Sequence, residues 1–293
     1  TYMTAFLTMR CNLNCSFCLN AFSKDFNRTK FREISGKQWV EALNKLESRE
    51  DLPITFSGGE PFLHPDFIYI LNNLKPELKI DILTNFYDKN LVDRFISEIN
   101  PERVRRQVPY PSIRVSYHPE QMDAEQLITN VKKAADAGFN IGIETIMYPN
   151  PRQLEAIEQM AIQCRNLGIS LRPKSFTGVF EGEDNKGDPI YIVHGNYSKY
   201  PKSFSQSPEN LKNCSCKTSE LLIAPDGKVY RCHRDLFSEE NFTGNITDEN
   251  FQVEDKFREC NKYGQCHPCD VKLKTNYKQQ LGHTSVEIKN LRE

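Results

Sequence analysis

The chain of 293 residues lacks several features that mark whole classes of proteins. No apolar run approaches the ~20 residues needed to span a bilayer, so we expect no membrane segment. Positive and negative charges are nearly balanced, because the chain has 38 Lys and Arg and 39 Asp and Glu, which gives a net charge of -1. The overall charge therefore gives no support for a nucleic-acid or anionic-membrane partner. Repeats and low-complexity tracts are also absent.

The first residues carry no targeting signal. Residues 1–7 are too few and too uncharged for a secretory signal, so we expect a cytoplasmic protein, although a native start could precede Thr1. Hydrophobic residues make up 38% and charged residues 26%, as in globular proteins. The length suits one large domain, or a main domain with a small appendage.

Ten cysteines are the unusual count, and they fall into two groups. Three lie in residues 11–18 and six in residues 214–269, while Cys164 stands alone. In a small secreted protein this number would suggest disulfides, but cysteines that form disulfide bonds would be spread more evenly along the chain. Two tight groups predict metal sites, and the spacing of Cys164 in a helix predicts a core residue.

Up to about Phe176 the chain alternates β-like runs with helical patterns. Ser35 is expected to cap the first helix, and Gly138 and Gly168 to end the last two. Strands are predicted at residues 5–9, 54–57, 80–83, 113–117, 141–147 and 170–173. Helices are predicted at residues 37–47, 65–74, 90–99, 124–137 and 152–167.

Six β/α units in this order predict parallel strands with right-handed crossovers, and hence an open or partly closed (β/α)6 barrel. Catalytic groups of such folds lie at the carboxyl ends of the strands. Cys11, Gly58, Asn85, Ser116 and His118 all fall there. After Phe176 the chain becomes polar and loop-rich, with a hairpin predicted around Pro225-Asp226-Gly227.

The first cysteine group is a C-x3-C-x2-C motif formed by Cys11, Cys15 and Cys18. Three thiolates on one short loop can hold three irons of a four-iron cluster and leave the fourth iron open. An open metal position is typical of catalysis. The alternative is a zinc knuckle, but its fourth ligand is missing nearby, since the next candidate is His64.

The motif, with Phe17 before its last cysteine, resembles the radical S-adenosylmethionine (SAM) superfamily. The resemblance implies that SAM binds the open iron and is cleaved to a 5′-deoxyadenosyl radical that takes hydrogen from a substrate. Gly58-Gly59-Glu60-Pro61 after the second strand resembles the sequence with which this family binds the methionine amino group. Two glycines allow close backbone approach, and Glu60 offers an acceptor.

Further cofactor-binding positions match the family more weakly. Asn85 follows the third strand, Ser116 ends the fourth, and Arg172 on the sixth could pair with the SAM carboxylate. Each could equally be a solvated polar residue at a strand end. His118 and Glu144 are candidates to face the substrate.

The second group resembles the SPASM or shorter twitch extensions of that superfamily, which bind auxiliary iron–sulfur clusters. The resemblance implies one auxiliary 4Fe–4S cluster held by Cys214, Cys232, Cys266 and Cys269. Cys216 and Cys260 are left over, and either could ligate, donate hydrogen during catalysis or be a small buried residue. A structural zinc site is the alternative. His233 and His267 lie beside cluster cysteines and could also ligate.

The resemblance implies a radical SAM core in residues 1–176 and an auxiliary-cluster domain in residues 177–293. We expect two 4Fe–4S clusters, SAM, and an electron donor such as flavodoxin or ferredoxin. The substrate is expected to be a peptide undergoing maturation, such as epimerisation or crosslinking, or a small molecule or sugar. A non-catalytic iron–sulfur carrier or metal-stabilised scaffold is the alternative.

Overall fold

The computed structural model describes residues 2–18, 30–176, 179–183, 189–193, 196–198, 214–218, 220–254, 256–260 and 286–290. Its first part is a run of six parallel strands. These are β1 Tyr2–Thr8, β2 Ile54–Gly58, β3 Ile80–Thr84, β4 Ile113–Tyr117, β5 Ile141–Met147 and β6 Leu171–Ser175. They lie side by side in chain order.

Helices connect these strands. They are α1 Gly36–Leu43, α2 Phe67–Asn73, α3 Lys89–Glu98, α4 Ala124–Asp136 and α5 Pro151–Leu167, with short 3-10 turns at Pro61–Leu63 and Pro101–Val104. Ser35 caps α1 through a capping box with Gln38, as predicted. Gly168 ends α5 in the left-handed conformation at φ 68°. The predicted series of six β/α units is confirmed, with element ends shifted by a few residues.

Alternation along the strands gives the sheet two different faces. The face toward the helices is apolar and forms the core, which includes Phe56, Ile80, Val115 and Trp39 of α1. The opposite face carries many polar residues. Strand register places Thr55 beside Asp81, Leu83 beside Arg114, and Ser116 beside Glu144.

The remaining described strands form two small sheets and an extension of the first. They are β7 Val179–Glu183, β8 Pro189–Val193, β9 Asn196–Ser198, β10 Cys214–Thr218, β11 Glu220–Ile223, β12 Lys228–Tyr230, β13 Gly244–Asn245, β14 Arg258–Cys260 and β15 Val286–Asn290, with helix α6 at His233–Ser238. β7–β9 form one small sheet, and β14-β10-β15 another.

The main sheet crosses the predicted domain boundary. β11 pairs in parallel with β1, with Thr4 opposite Leu222, and β11 and β12 form the predicted hairpin. Phe6 and Met9 of the first segment share an apolar cluster with Leu222 and Tyr230. The division at residues 176 and 177 stays a prediction, and the β11–β12 hairpin, which Cys232 follows, pairs directly with the first strand.

Candidate active site

The loop that follows β1 carries Cys11, Cys15 and Cys18, none of which forms a disulfide within the described residues. Cys15 is buried, whereas Cys11 and Cys18 are half-buried. The Cys18 N–H donates to the Cys15 carbonyl over 3.3 Å, and the Leu13 N–H to Cys11 Sγ over 3.4 Å. The sequence therefore places three thiols on one short, internally bonded turn.

The donor set fits a cluster. Across the described ranges, no three His, Cys, Asp or Glu side chains come close enough together to hold one metal ion. Thiolates of an iron–sulfur cluster bind different irons, so they do not have to converge on one point. Three cysteine thiols on one loop are the type of donor that iron–sulfur clusters use.

Gly58 and Gly59 bring the end of β2 against this loop. The Gly59 N–H donates to the Thr8 carbonyl and the Glu60 N–H to the Arg10 carbonyl, each over 2.8 Å. A Cβ on Gly58 would lie 2.1 Å from the Thr8 oxygen, and one on Gly59 would lie 2.0 Å from the Arg10 oxygen. The glycines were expected to admit a ligand, and in the structure they admit the neighbouring backbone, which fixes the cysteine loop to β2.

Glu60 joins three segments through its buried carboxylate. It accepts hydrogen bonds from the Phe62 N–H over 3.1 Å, the Thr84 hydroxyl over 2.6 Å and the Asn85 N–H over 2.6 Å. Burial raises the pKa of Glu60 to about 7, although these hydrogen bonds oppose the shift. An ionised carboxylate has about four acceptor positions, so little capacity remains for a ligand. The sequence did not reveal this structural role.

Asn85 reaches the cysteine loop from the end of β3. Its Nδ2 donates to Asn12 Oδ1 over 2.7 Å and lies 4.0 Å from Cys11 Sγ. The carboxylate of Glu60 fixes the Asn85 backbone, so the predicted positions Glu60, Asn85 and Cys11 are in one bonded chain. Pro61 opens the 3-10 turn that follows Glu60 and is buried.

Ser116, Glu144 and Arg172 occupy one row across β4, β5 and β6. Ser116 is half-buried and Arg172 is exposed. Glu144 is buried and forms ion pairs with Lys174 and, at 3.8 Å, with Arg114. The structure therefore brings the two weaker SAM-binding candidates to either side of the substrate candidate Glu144.

His118 lies at the end of β4 and contacts Phe17 of the cysteine motif, with 5.4 Å between ring centres. Its buried Nδ1 has no partner within the described part of the chain. Burial lowers the pKa of His118 to about 4, so the ring is neutral at physiological pH. Tyr148 also packs against Phe17, with 4.8 Å between the ring centres.

Two residues that hold the cysteine loop were missed at the sequence level. Glu120 accepts both the N–H and the hydroxyl of Ser16, and Gln121 accepts the Asn14 N–H over 3.3 Å. Their position just after β4, at the same sheet edge as the cysteines, is the only signal that could have indicated them.

The second cysteine group is described in part. Cys232 is half-buried at the start of α6, and Cys214 pairs directly with Cys260 across β10 and β14. The predicted ligands Cys266 and Cys269 lie outside the described residues, as does His267. In the chain, the β10 strand that carries Cys214 directly precedes the β11–β12 hairpin, which Cys232 follows. The set of four ligands stays a prediction.

Cys216 lies beside a buried cation. Its Sγ is 3.5 Å from Arg231 Nη1, and Arg231 also binds the Asp235 carboxylate over 3.0 Å and the Glu259 carbonyl over 2.9 Å. Cys216 is only 2% exposed, whereas Cys260 is half-buried. Of the two cysteines outside the predicted ligand set, Cys260 is the more accessible.

No helix in the described portion is long and apolar enough to cross a membrane. A sequence model described as the Radical SAM superfamily matches residues 6–161, which is more than half of the chain.

Three relatives are similar over different extents. A GTP 3′,8-cyclase of Aquifex aeolicus is 23% identical and covers 84% of this chain and 85% of its own length. Sporulation killing factor maturation protein SkfB of Bacillus subtilis is 25% identical over 55% of this chain and 39% of its own length. Mycofactocin maturase MftC of Mycobacterium tuberculosis is 22% identical over 77% of this chain and 62% of its own length.

A solved structure shares the fold. Streptococcus suis SuiB bound to the precursor peptide SuiA aligns with a TM-score of 0.51 at 14% identity. The alignment covers 85% of this chain and 63% of SuiB. The partial (β/α)6 barrel with a small C-terminal extension, expected from the sequence, is the fold that this similarity shows.

Proposed function

Because the chain belongs to the radical SAM superfamily, we propose that Cys11, Cys15 and Cys18 hold a 4Fe–4S cluster at which this enzyme cleaves SAM. When bound, the cluster supplies the electron that cleaves SAM and yields the 5′-deoxyadenosyl radical. The observation that carries the proposal is the three-cysteine turn, which is fixed to β2 by Gly59 and to β3 by Asn85. A flavodoxin or ferredoxin would deliver the electron.

The strand ends would bind SAM in this proposal. The backbone of Gly58 to Pro61 and the last acceptor position of Glu60 would hold the methionine amino group. Ser116 and Arg172 bind its carboxylate or the ribose, and Asn85 holds the cysteine loop in place. Neutral His118 and the Glu144 ion pairs border the substrate.

Peptide maturation is the proposed reaction class. Two relatives are named as a maturation protein and a maturase. In this proposal Cys214, Cys232, Cys266 and Cys269 hold one auxiliary 4Fe–4S cluster. The greater accessibility of Cys260 favours it over Cys216 as a hydrogen donor to a substrate radical.

Small-molecule chemistry is the second candidate, because the similarity to the cyclase relative extends over 84% of this chain and 85% of the relative. The two substrate classes can be distinguished by the source of the hydrogen that the 5′-deoxyadenosyl radical takes. We would supply the reconstituted enzyme either with the peptide fraction of source cells grown in deuterated medium or with deuterated GTP. Deuterium in 5′-deoxyadenosine from the peptide fraction alone supports maturation, whereas transfer from GTP alone contradicts it.

The catalytic claim has a simpler test. Anaerobic protein reconstituted with iron and sulfide, then given reductant and SAM, should release 5′-deoxyadenosine. Cys15→Ala should lose this activity, and Cys164→Ala, which changes a core cysteine of α5, should retain it. A fully reconstituted wild-type protein that leaves SAM intact would instead support a carrier or scaffold. Iron content of about eight per chain supports two clusters, and about four supports one.

A further inference from the structure

The segment after β4 binds the cysteine loop through side-chain hydrogen bonds. Glu120 Oε1 accepts the Ser16 N–H over 2.5 Å, and Glu120 Oε2 accepts the Ser16 hydroxyl over 2.9 Å. Ser16 lies between Cys15 and Cys18, and 104 residues separate it from Glu120. The carboxylate of Glu120, which is distant in sequence, therefore accepts hydrogen bonds from both the N–H and the hydroxyl of Ser16, at the centre of the cysteine turn.

A third element holds Glu120 in this position. Gln153, in the first turn of α5, donates from Nε2 to Glu120 Oε2 over 3.3 Å. Gln153 is buried, so its amide is a fixed partner rather than a mobile surface group. Gln121 adds a hydrogen bond to the N–H of Asn14 on the same loop. The β4 and β5 crossover segments thus set the position of the Cys15–Cys18 turn.

The contacts matter for electron transfer, because hydrogen bonds to cluster sulfurs and the local charge set the potential of an iron–sulfur centre. The Ser16 N–H is committed to Glu120 and so is not directed at a sulfur. Glu120 also places a negative charge beside the turn. Arg10, at the start of the loop, is paired with Glu33 over 2.8 Å, so its positive charge is largely balanced by that carboxylate. Both effects of Glu120 make reduction of the cluster harder.

We propose that Glu120 is a positioning residue that fixes the Cys15–Cys18 turn and keeps the reduction potential of its cluster low. The inference rests on the proposed function, since it presumes a cluster on this loop. Glu120 is solvent-exposed, so the charge contribution should weaken as ionic strength rises, whereas the positioning contribution should not.

The test uses the reconstituted holoprotein and two substitutions. Glu120→Gln removes the charge and keeps an acceptor for the Ser16 N–H, and Glu120→Ala removes both. We expect both variants to raise the midpoint potential measured by anaerobic redox titration, with a salt-dependent shift for Glu120→Gln. Only Glu120→Ala should also broaden the electron paramagnetic resonance signal of the reduced cluster. Glu125→Gln, the same charge change on the exposed face of α4, should leave both unchanged.

A second readout does not depend on the cluster potential. Amide exchange at Ser16 should become roughly tenfold faster in Glu120→Ala, because one hydrogen bond is lost. Wild-type potential and wild-type Ser16 exchange in Glu120→Ala would overturn the proposal. Failure of the proposed function itself would look different, because Cys11→Ala would then keep the full iron content and the full reduced-cluster signal, whereas the proposed function predicts the loss of about four irons per chain and of one of the two cluster signals.

Discussion

Glu60 should titrate near neutral pH, because burial outweighs its three hydrogen bonds and raises its pKa to about 7. Relative to the ordinary value of 4.5, that shift corresponds to about 3 kcal/mol in favour of the protonated form. The folded pKa lies above the unfolded one, so this stabilisation is complete below about pH 4.5 and is lost as pH rises through about 7.

Infrared spectroscopy of the anaerobic protein between pH 5 and 9 measures this ionisation directly. A protonated-carboxyl band that titrates near pH 7 and is missing in Glu60→Gln is the expected result. Over the same range the thermal stability of the wild type should fall relative to Glu60→Gln. If SAM places its ammonium beside Glu60, adding SAM should lower the midpoint by about one to three pH units. A band absent at pH 5 would refute the dominance of burial.

Two further substitutions test the supports of the site. Gly59→Ala would place a methyl group against the Arg10 carbonyl, so we expect a loss of about 1–3 kcal/mol and reduced iron retention, measured by melting and iron assay. Asp81→Asn should lower stability by about 3–5 kcal/mol, because it removes the buried carboxylate that forms ion pairs with the buried Arg106 and with Arg114.

Each of these substitutions has a control in the chain. Gly168→Ala has open space around its Cβ and only the left-handed conformation to oppose it, so it should cost about 1 kcal/mol and keep the iron. Asp136→Asn breaks only an exposed pair with Lys132, and should cost less than about 1 kcal/mol. An equal loss of stability in Gly59→Ala and Gly168→Ala would contradict the role of the Arg10 contact. An equal loss in Asp81→Asn and Asp136→Asn would contradict the role of the buried ion pairs.

The sequence predicted the six β/α units well because their signals are local. Ser35 and Gly168 mark helix ends, and apolar residues recur with the period of each element. The β11–β12 hairpin was also predicted from its Pro225-Asp226-Gly227 turn. Its parallel pairing with β1 was not, because contacts between segments more than two hundred residues apart leave no local pattern.

Within the site, spacing indicated the three cysteines, and the resemblance to the superfamily indicated the Gly-Gly-Glu-Pro segment. The partners of these residues could not be predicted in the same way. Glu120 holds Ser16 and Gln153 holds Glu120 only because three loops meet at one edge of the sheet. The use of Glu60 as a structural acceptor depends on the backbone direction at Asn85, which only the folded chain defines.

The central claim is that the cluster on Cys11, Cys15 and Cys18 keeps one iron for SAM. Electron–nuclear double resonance on the reduced protein with SAM labelled at the methionine nitrogen and carboxylate oxygen tests it most directly. The account predicts hyperfine coupling of both labels to the cluster, and the loss of both couplings in Cys15→Ala. An intact reduced cluster that shows no coupling to either label in the wild type would contradict it.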